Sequence, residues 1–170
     1  VHHLKQTHSA IVHPSHELSM SERKEGDGIV GTFNDIACAI ITADCLPIIL
    51  LGKEKFAFVH AGWRGLKKNI LAHDLIQQIS PHYAFIGPCI RHENYQVSED
   101  FRENFPHSQN FIQKQEYLTF DLAKEAGSLL QKLYPGIKVE DCEVDTFTSP
   151  FLQSYRRDKN QKRNWNIFFS

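Results

Sequence analysis

Ala43-Asp44-Cys45-Leu46-Pro47-Ile48-Ile49-Leu50-Leu51-Gly52-Lys53-Glu54-Lys55-Phe56-Ala57-Phe58-Val59-His60 is the stretch on which the fold turns. From Ile36 to Leu51 the sequence is almost uninterrupted apolar. Gly52-Lys53-Glu54-Lys55 breaks it, and Phe56-Ala57-Phe58-Val59 resumes. Two apolar runs around a short, glycine-led polar break are the pattern of a β-hairpin, here centred on Gly52-Lys53. Folding the chain back there sets Cys45 opposite His60, to within a residue or two, with Pro47 as the position where the first strand could bend. Residues facing each other across an antiparallel pair have Cβ atoms about 5 Å apart on one side of the sheet. The pairing therefore predicts a thiol and an imidazole close enough to share a metal ion or to act as a nucleophile and its base.

Outward from the hairpin, Ser19 to Gly28 is polar, carries Glu22-Arg23-Lys24-Glu25 and reads as an exposed loop. Asp27-Gly28 then opens a strand over Ile29–Phe33. Beyond Gly65, Leu66, Ile70, Leu71, Leu75, Ile76 and Ile79 recur at helical spacing, so one amphipathic helix is expected from about Arg64 to Ser80, stopped by Pro81. Tyr83–Ile86 reads as a buried strand. Ser98 is a cap candidate for a helix burying Phe101 and Phe105. Asp121 is another, for a helix burying Leu122, Ala126, Leu129, Leu130 and Leu133 that stops at Pro135-Gly136. Leu118–Phe120, Lys138–Val144 and Asn166–Phe169 complete the strands. Strands outnumber helices and the best hairpin is antiparallel. The expectation is a mixed α/β or α+β layered domain, not a doubly wound dinucleotide binder. No G-x-G-x-x-G or G-x-x-x-x-G-K-[ST] loop supports NAD or ATP.

The chain has 170 residues and is 41% hydrophobic, enough for one cored domain over 1–170 and too little for two comfortable ones. Nineteen basic against 20 acidic residues give a net charge of -1, so charge offers no general argument for nucleic acid or an anionic membrane. No apolar run approaches the ~18 residues of a membrane span and no signal stretch opens the sequence, which points to the cytoplasm. The four cysteines, 38, 45, 89 and 142, show no CxxC spacing. In a reducing compartment three of them are expected as buried core thiols. Most of the ten histidines, His2, His3, His13 and His16 among them, read as a surface cluster.

Asp44 inside an apolar run is costly unless its carboxylate is satisfied, so it is expected to cap backbone amides or orient a ligand. His60 is followed by Ala61-Gly62-Trp63-Arg64-Gly65. The glycines allow close backbone approach, Trp63 offers a flat wall, and Arg64 offers a fork for phosphate or carboxylate. A helix starting there would add its amides to an anion site. Read more plainly, Cys45 is a small core residue, Trp63 is core and Arg64 lies on the surface. His8 stands out from His13 and His16 only through the resemblance below. In Ser154-Tyr155-Arg156-Arg157-Asp158, with Lys159, Lys162 and Arg163, Arg157 and Asp158 are expected to pair across a turn, with an anion role secondary.

Five blocks occur in order: Thr42-Ala43-Asp44-Cys45-Leu46-Pro47-Ile48; Val59-His60-Ala61-Gly62-Trp63-Arg64-Gly65-Leu66; Ile86-Gly87-Pro88-Cys89-Ile90 with Tyr95-Gln96-Val97; Phe120-Asp121-Leu122; and Ser154-Tyr155-Arg156-Arg157-Asp158. Together they resemble the YfiH-like family, described as multicopper polyphenol oxidases (laccases) or purine nucleoside phosphorylases. The resemblance implies a layered α/β/β/α fold, similar to Cys-His toxin deamidases, and a single zinc, or alternatively copper, on His8, Cys45 and His60. A metal on three protein ligands keeps one position open, as catalytic zinc does. The implied activity is purine nucleoside phosphorolysis, with adenosine deamination at the same centre; the partners are a small nucleoside and phosphate, the latter on Arg64. A copper polyphenol oxidase and a metal-free Cys-His hydrolase or deamidase, with Cys45 as nucleophile and His60 as base, are the alternatives. Thr7 and Ser9 stand where the family has Val and Gly around His8, and Lys162-Arg163 where it has Gly-Arg. Family members also carry a segment ahead of the first metal histidine, almost on which this chain begins.

Overall fold

The chain divides its apolar sequence between two stacked sheets. The computed structural model describes residues 1–19, 21–33 and 37–170; Met20 of the expected loop and Ile36 at the head of the apolar run lie outside them. In chain order the strands are β1 (His2–His3), β2 (Val12–Pro14), β3 (Gly28–Thr32), β4 (Ala37–Thr42), β5 (Leu46–Leu51), β6 (Lys55–Ala61), β7 (Tyr83–Ile86), β8 (Gln96–Val97), β9 (Phe111–Gln113), β10 (Leu118–Phe120), β11 (Lys138–Asp141) and β12 (Asn164–Phe169). The α-helices are α1 (Trp63–Lys67), α2 (Asp74–Gln77), α3 (Leu122–Leu133) and α4 (Tyr155–Asp158). A six-stranded mixed sheet runs β11-β7-β5-β6-β3-β2. A three-stranded sheet, β1-β4-β12, and another, β8-β10-β9, accompany it. The mixed α/β layering expected from the sequence is present.

The hairpin forms as β5 and β6, antiparallel, with Leu51 facing Phe56 and Leu46 facing Ala61. Its register lies at the edge of the expected margin of a residue or two: Pro47, in line within β5, faces His60, and Cys45 lies one step beyond the strand. The turn sets this. The Gly52 amide donates to the Lys55 carbonyl at 2.8 Å, and a Cβ at Gly52 would come within 2.1 Å of the Ile79 carbonyl oxygen, so only glycine fits where the hairpin folds against the following segment.

The long apolar run is not one strand. Ala37–Thr42 belongs to the smaller sheet, and the corner Ala43-Asp44-Cys45 carries the chain across to β5. Asp44 makes the corner in the left-handed region, at φ 89°. Both halves of the run are largely buried, so hydrophobicity alone cannot show the division. Leu46, Ile48 and Leu50 of β5 face a core closed by Leu66, Ile70, Ile76, Leu122, Ala126 and Leu130. Ile49 and Leu51 point the other way, to the layer where Ile29, Phe56 and Phe58 meet Cys38, Ile40 and Phe168.

The helix expected over 64–80 is three short turns: α1, a 3-10 turn at Ile70–Ala72, and α2. Asn69 interrupts it at φ 60°, ψ 38°, and the His73 ring then accepts from the Leu75 amide. Asparagine enters the left-handed region more readily than most residues. Leu66, Ile70, Leu71, Ile76 and Ile79 are nonetheless all buried, so the apolar spacing marked the buried side but not the continuity.

Smaller corrections follow. Glu99–Asn104 is a 3-10 helix, and the Ser98 side chain makes no cap bond. Phe105 is buried and Phe101 packs partly buried on the core. Asp121 does cap α3, accepting from the Lys124 amide at 2.9 Å; Leu133, on the last turn of that helix, is exposed. The expected strand over 138–144 ends at Asp141, and the last strand begins at Asn164. Among the described residues of the 19–28 loop, Ser19 and residues 21–25 are exposed, whereas Gly26, Asp27 and Gly28 are buried. Cys38 and Cys89 are core residues, Cys142 is half-buried, and all four cysteines are free. His2, His3 and His13 are half-buried, leaving only His16 of that group exposed. Among the described residues no helix is long and apolar enough to cross a membrane.

Candidate metal centre

β6 carries His60 into the interior, where β3 and β6 lie side by side, with Gly28 facing Val59. Asp27, immediately before β3, is fully buried beside it. The His60 Nδ1–H donates to Asp27 Oδ1 at 2.7 Å, and the His60 amide donates to the Asp27 carbonyl at 2.7 Å. Oδ1 also accepts from the His8 amide at 3.1 Å. Oδ2 accepts from the Ser9 amide and hydroxyl, each at 2.6 Å, and from the Thr7 amide at 3.2 Å. One carboxylate thus orients the His60 ring and wraps the segment carrying His8, which is held at φ 58°.

The corner after β4 presents Cys45 to these rings. The two imidazoles meet edge to face with centroids 4.8 Å apart. The ligand atoms of His8, Cys45 and His60 all lie within 4.8 Å of one another. Gly62 closes the site: a Cβ there would stand 2.9 Å from the Cys45 sulfur and 3.3 Å from His8 Cδ2.

The electrostatics follow the geometry. Burial works to raise the Asp27 carboxyl, but hydrogen bonds from His60 and Ser9 outweigh it and hold the group down at about 2. Burial likewise opposes a Cys45 thiolate; the His60 charge and the hydrogen bonds from His60 and His8 prevail and lower the thiol. His60 moves upward, with burial overcome by Cys45 and Asp27. Cys38, in apolar surroundings, is pushed up to about 11 by burial, and Cys89 is raised as well. Cys45 is therefore set apart from these two as a thiolate.

Asp44 satisfies amides, as expected of a carboxylate there. Oδ2 accepts from the Arg156 amide at 2.7 Å, Oδ1 from the Thr146 hydroxyl at 2.8 Å, and its carbonyl from the Ile90 amide at 3.0 Å. Arg64 is exposed, with its guanidinium 4.5 Å above the Trp63 ring. The long helix whose N-terminus was to assist it is instead the single turn of α1. Arg157 pairs with Asp158 and donates to the carbonyls of Thr146, Phe147, Ser149 and Leu152, knotting that loop. His13 is turned to the Glu25 carbonyl. Asp27 is the residue that sequence reasoning missed. Its only signal was an acid directly before a glycine and an apolar strand.

Residues 1–167 match the family described as multi-copper polyphenol oxidoreductase laccase. The chain belongs to this family, also known by the names YfiH and DUF152. A purine nucleoside phosphorylase of Aquifex aeolicus (strain VF5) is 40% identical over 144 residues, 82% of this chain and 68% of that protein. Purine nucleoside phosphorylase YfiH of Escherichia coli (strain K12) is 30% identical over 155 residues, 82% of this chain and 62% of that one. The YfiH-family chain thus spans 68% and 62% of the lengths of these two relatives. Among solved structures, a Neisseria meningitidis DUF152 protein superposes with a TM-score of 0.85 over 98% of this chain and 74% of its own, at 28% identity. Bacillus licheniformis YfiH, at 21% identity and a TM-score of 0.84 over 96% of this chain and 72% of its own, shares the fold.

The donor set fits a metal of this kind. Two imidazoles and a thiolate suit zinc or copper, and a ring nitrogen held by a buried carboxylate is the usual support of a metal-binding histidine.

Proposed function

We propose that this chain binds one zinc ion on His8, Cys45 and His60 and catalyses phosphorolysis of purine nucleosides, adenosine or inosine, with deamination of adenosine at the same centre. The observation that carries the reading is the meeting of two imidazoles and a thiolate over Asp27, in a chain whose relatives are named purine nucleoside phosphorylases. A zinc ion so held supplies a Lewis acid with one open position. In phosphorolysis an oxygen of hydrogen phosphate bonds to ribose C1′ as the C1′–N9 bond breaks. The electron pair passes to the purine, which takes up the proton given up by phosphate, leaving free base and ribose 1-phosphate. Arg64 supplies a cationic fork for phosphate, and Trp63 beneath it a flat apolar wall. Asp27 keeps the His60 Nδ1 proton in place, so that Nε2 is the nitrogen free to ligate, and Asp44 pins the corner that presents Cys45.

The family description favours a second reading, a copper polyphenol oxidase. Among the described residues one group of three metal-ligating side chains comes together, whereas four-electron reduction of oxygen by a laccase draws on several coppers. A metal-free Cys-His hydrolase would require only one imidazole at the sulfur, and two are present.

The test is elemental analysis of wild type and Cys45→Ala, paired with release of adenine or hypoxanthine from nucleosides with and without phosphate. About one zinc per chain, lost in the variant together with phosphate-dependent base release, is the expected result. Full turnover by Cys45→Ala would overturn the assignment. Turnover without any metal would move it to the hydrolase.

A further inference from the structure

Arg156 and Tyr95 are two side chains beside the centre that the reading above leaves without a task. Tyr95 is half-buried, its ring edge-on to Phe101 at 6.2 Å, and the Arg156 guanidinium lies 5.3 Å from its ring centroid. Burial holds the proton on its phenol. Phe101 also meets the Trp63 ring edge to face at 5.4 Å, so the two rings that carry the Arg156 and Arg64 guanidiniums share one aromatic neighbour.

The Arg156 backbone is fixed, its amide on Asp44 Oδ2 next to Cys45. Its side chain is only partly engaged: Nη1 donates to the Gln96 carbonyl at 2.9 Å. Among the described residues neither Arg156 nor Arg64 pairs with a carboxylate. Arg91, Arg102 and Arg157 do, with Asp141, Glu99 and Asp158. Two guanidiniums, each laid on an aromatic ring and neither neutralised, beside a site that has its own donors, make a place for a multivalent oxyanion.

We propose that Arg156, together with Arg64, clamps the phosphate co-substrate, with the Tyr95 ring as the platform that positions the Arg156 guanidinium. The inference rests on the phosphorylase reading and deepens it, since it moves the principal phosphate contact to the segment 154–158, far along the chain from the metal-ligating residues. A purely structural Arg156, holding Gln96 and no more, would affect stability and leave phosphate kinetics alone.

The experiment uses zinc-loaded wild type, Arg156→Ala, Arg156→Lys and Tyr95→Phe, each checked for metal content. KM for phosphate and for inosine are measured, together with the rise in Tm produced by inorganic phosphate without nucleoside. Arg156→Ala is expected to raise the phosphate KM about tenfold or more while the inosine KM stays within about twofold, and to lose the phosphate-induced Tm rise. Arg156→Lys should recover part of both, because the charge returns without the fork, and Tyr95→Phe, which keeps the ring beneath the guanidinium, should leave the phosphate KM within about twofold. Phosphate-dependent turnover with an unchanged phosphate KM in Arg156→Ala and Arg156→Lys overturns the clamp and leaves the phosphorylase reading standing. Absence of phosphate-dependent turnover in wild type overturns the phosphorylase reading. The clamp is then judged by the Tm rise alone: its loss in Arg156→Ala supports an anion site, and no rise in wild type, or an equal rise in the variant, overturns it.

Discussion

Asp27 holds His60 twice, by its carboxylate on the ring Nδ1 and by its carbonyl on the backbone amide, each at 2.7 Å. The same carboxylate also receives the amides of Thr7, His8 and Ser9. The two histidines of the candidate centre, 52 residues apart, therefore share one support. Asp27→Asn would place an amide NH2 against donors at one oxygen position. Zinc affinity should fall about 10- to 100-fold, as on removing the partner of a metal-bound histidine. Stability of the metal-free protein should fall by about 1–3 kcal/mol. Chelator competition and urea unfolding read the two effects separately. Unchanged zinc affinity in the Asp27→Asn variant would show that Asp27 serves the fold alone.

Gly62→Ala tests the centre without touching a ligand. The new methyl would stand 2.9 Å from the Cys45 sulfur and 3.3 Å from His8 Cδ2, and the backbone at Gly62, φ -81° and ψ 173°, accepts alanine without strain. The expected outcome is a folded protein with weakened metal binding. Gly127→Ala is the control: it lies inside α3, where a Cβ meets nothing within 4 Å, so it should gain about 0.5–1 kcal/mol from helix propensity and leave zinc binding alone. Equal metal affinity in the two variants would contradict the placement of Cys45.

Metal-free protein should be alkylated by iodoacetamide selectively at Cys45. Its thiol is lowered by His60 and His8, so the thiolate, the reactive form, persists below the usual thiol range as pH falls. Cys38 and Cys89 are raised by burial and stay protonated well above it. Mass spectrometry across about pH 6 to 9, the span in which thiolate populations diverge, should find Cys45 modified first throughout and protected by added zinc. Preferential labelling of Cys38 or Cys89 would reverse the assignment.

The elements that could be read from the sequence are those whose signal is local. Gly52-Lys53-Glu54-Lys55 between two apolar runs marked the hairpin, and Asp121 ahead of Leu122 marked the start of α3, because turn and cap chemistry reside in the residues themselves. The two-residue offset of the hairpin follows from a turn that closes over Lys53-Glu54, with the Gly52 amide on the Lys55 carbonyl, where the sequence centred it on Gly52-Lys53. The break at Asn69 was hidden because the buried apolar positions keep helical spacing across it. Asp44, at a corner between two sheets, looked like an acid inside one strand. For the centre, the blocks around Cys45 and His60 were visible and the structure brings them together. Asp27 was not, since its tie to His60 arises from the pairing of β3 with β6 and leaves no mark in spacing.

Asp44 links the corner bearing Cys45 to the segment bearing Arg156, so its substitution should act on both. In Asp44→Asn one oxygen remains to accept from the Thr146 hydroxyl, but the position facing the Arg156 amide becomes a donor or the hydroxyl contact is lost. The left-handed backbone at φ 89° is retained, since asparagine tolerates that region as aspartate does. Strain is therefore not the cause of any effect. The expected result is a loss of about 1–2 kcal/mol in stability and a raised phosphate KM with zinc still bound, because Arg156 loses its backbone anchor while His8 and His60 keep theirs on Asp27. Elemental analysis, urea unfolding and phosphate-dependence kinetics on one preparation distinguish the outcomes. Weakened zinc binding with a normal phosphate KM in the zinc-saturated variant would mean that Asp44 governs Cys45 alone and that the two segments are not coupled through it.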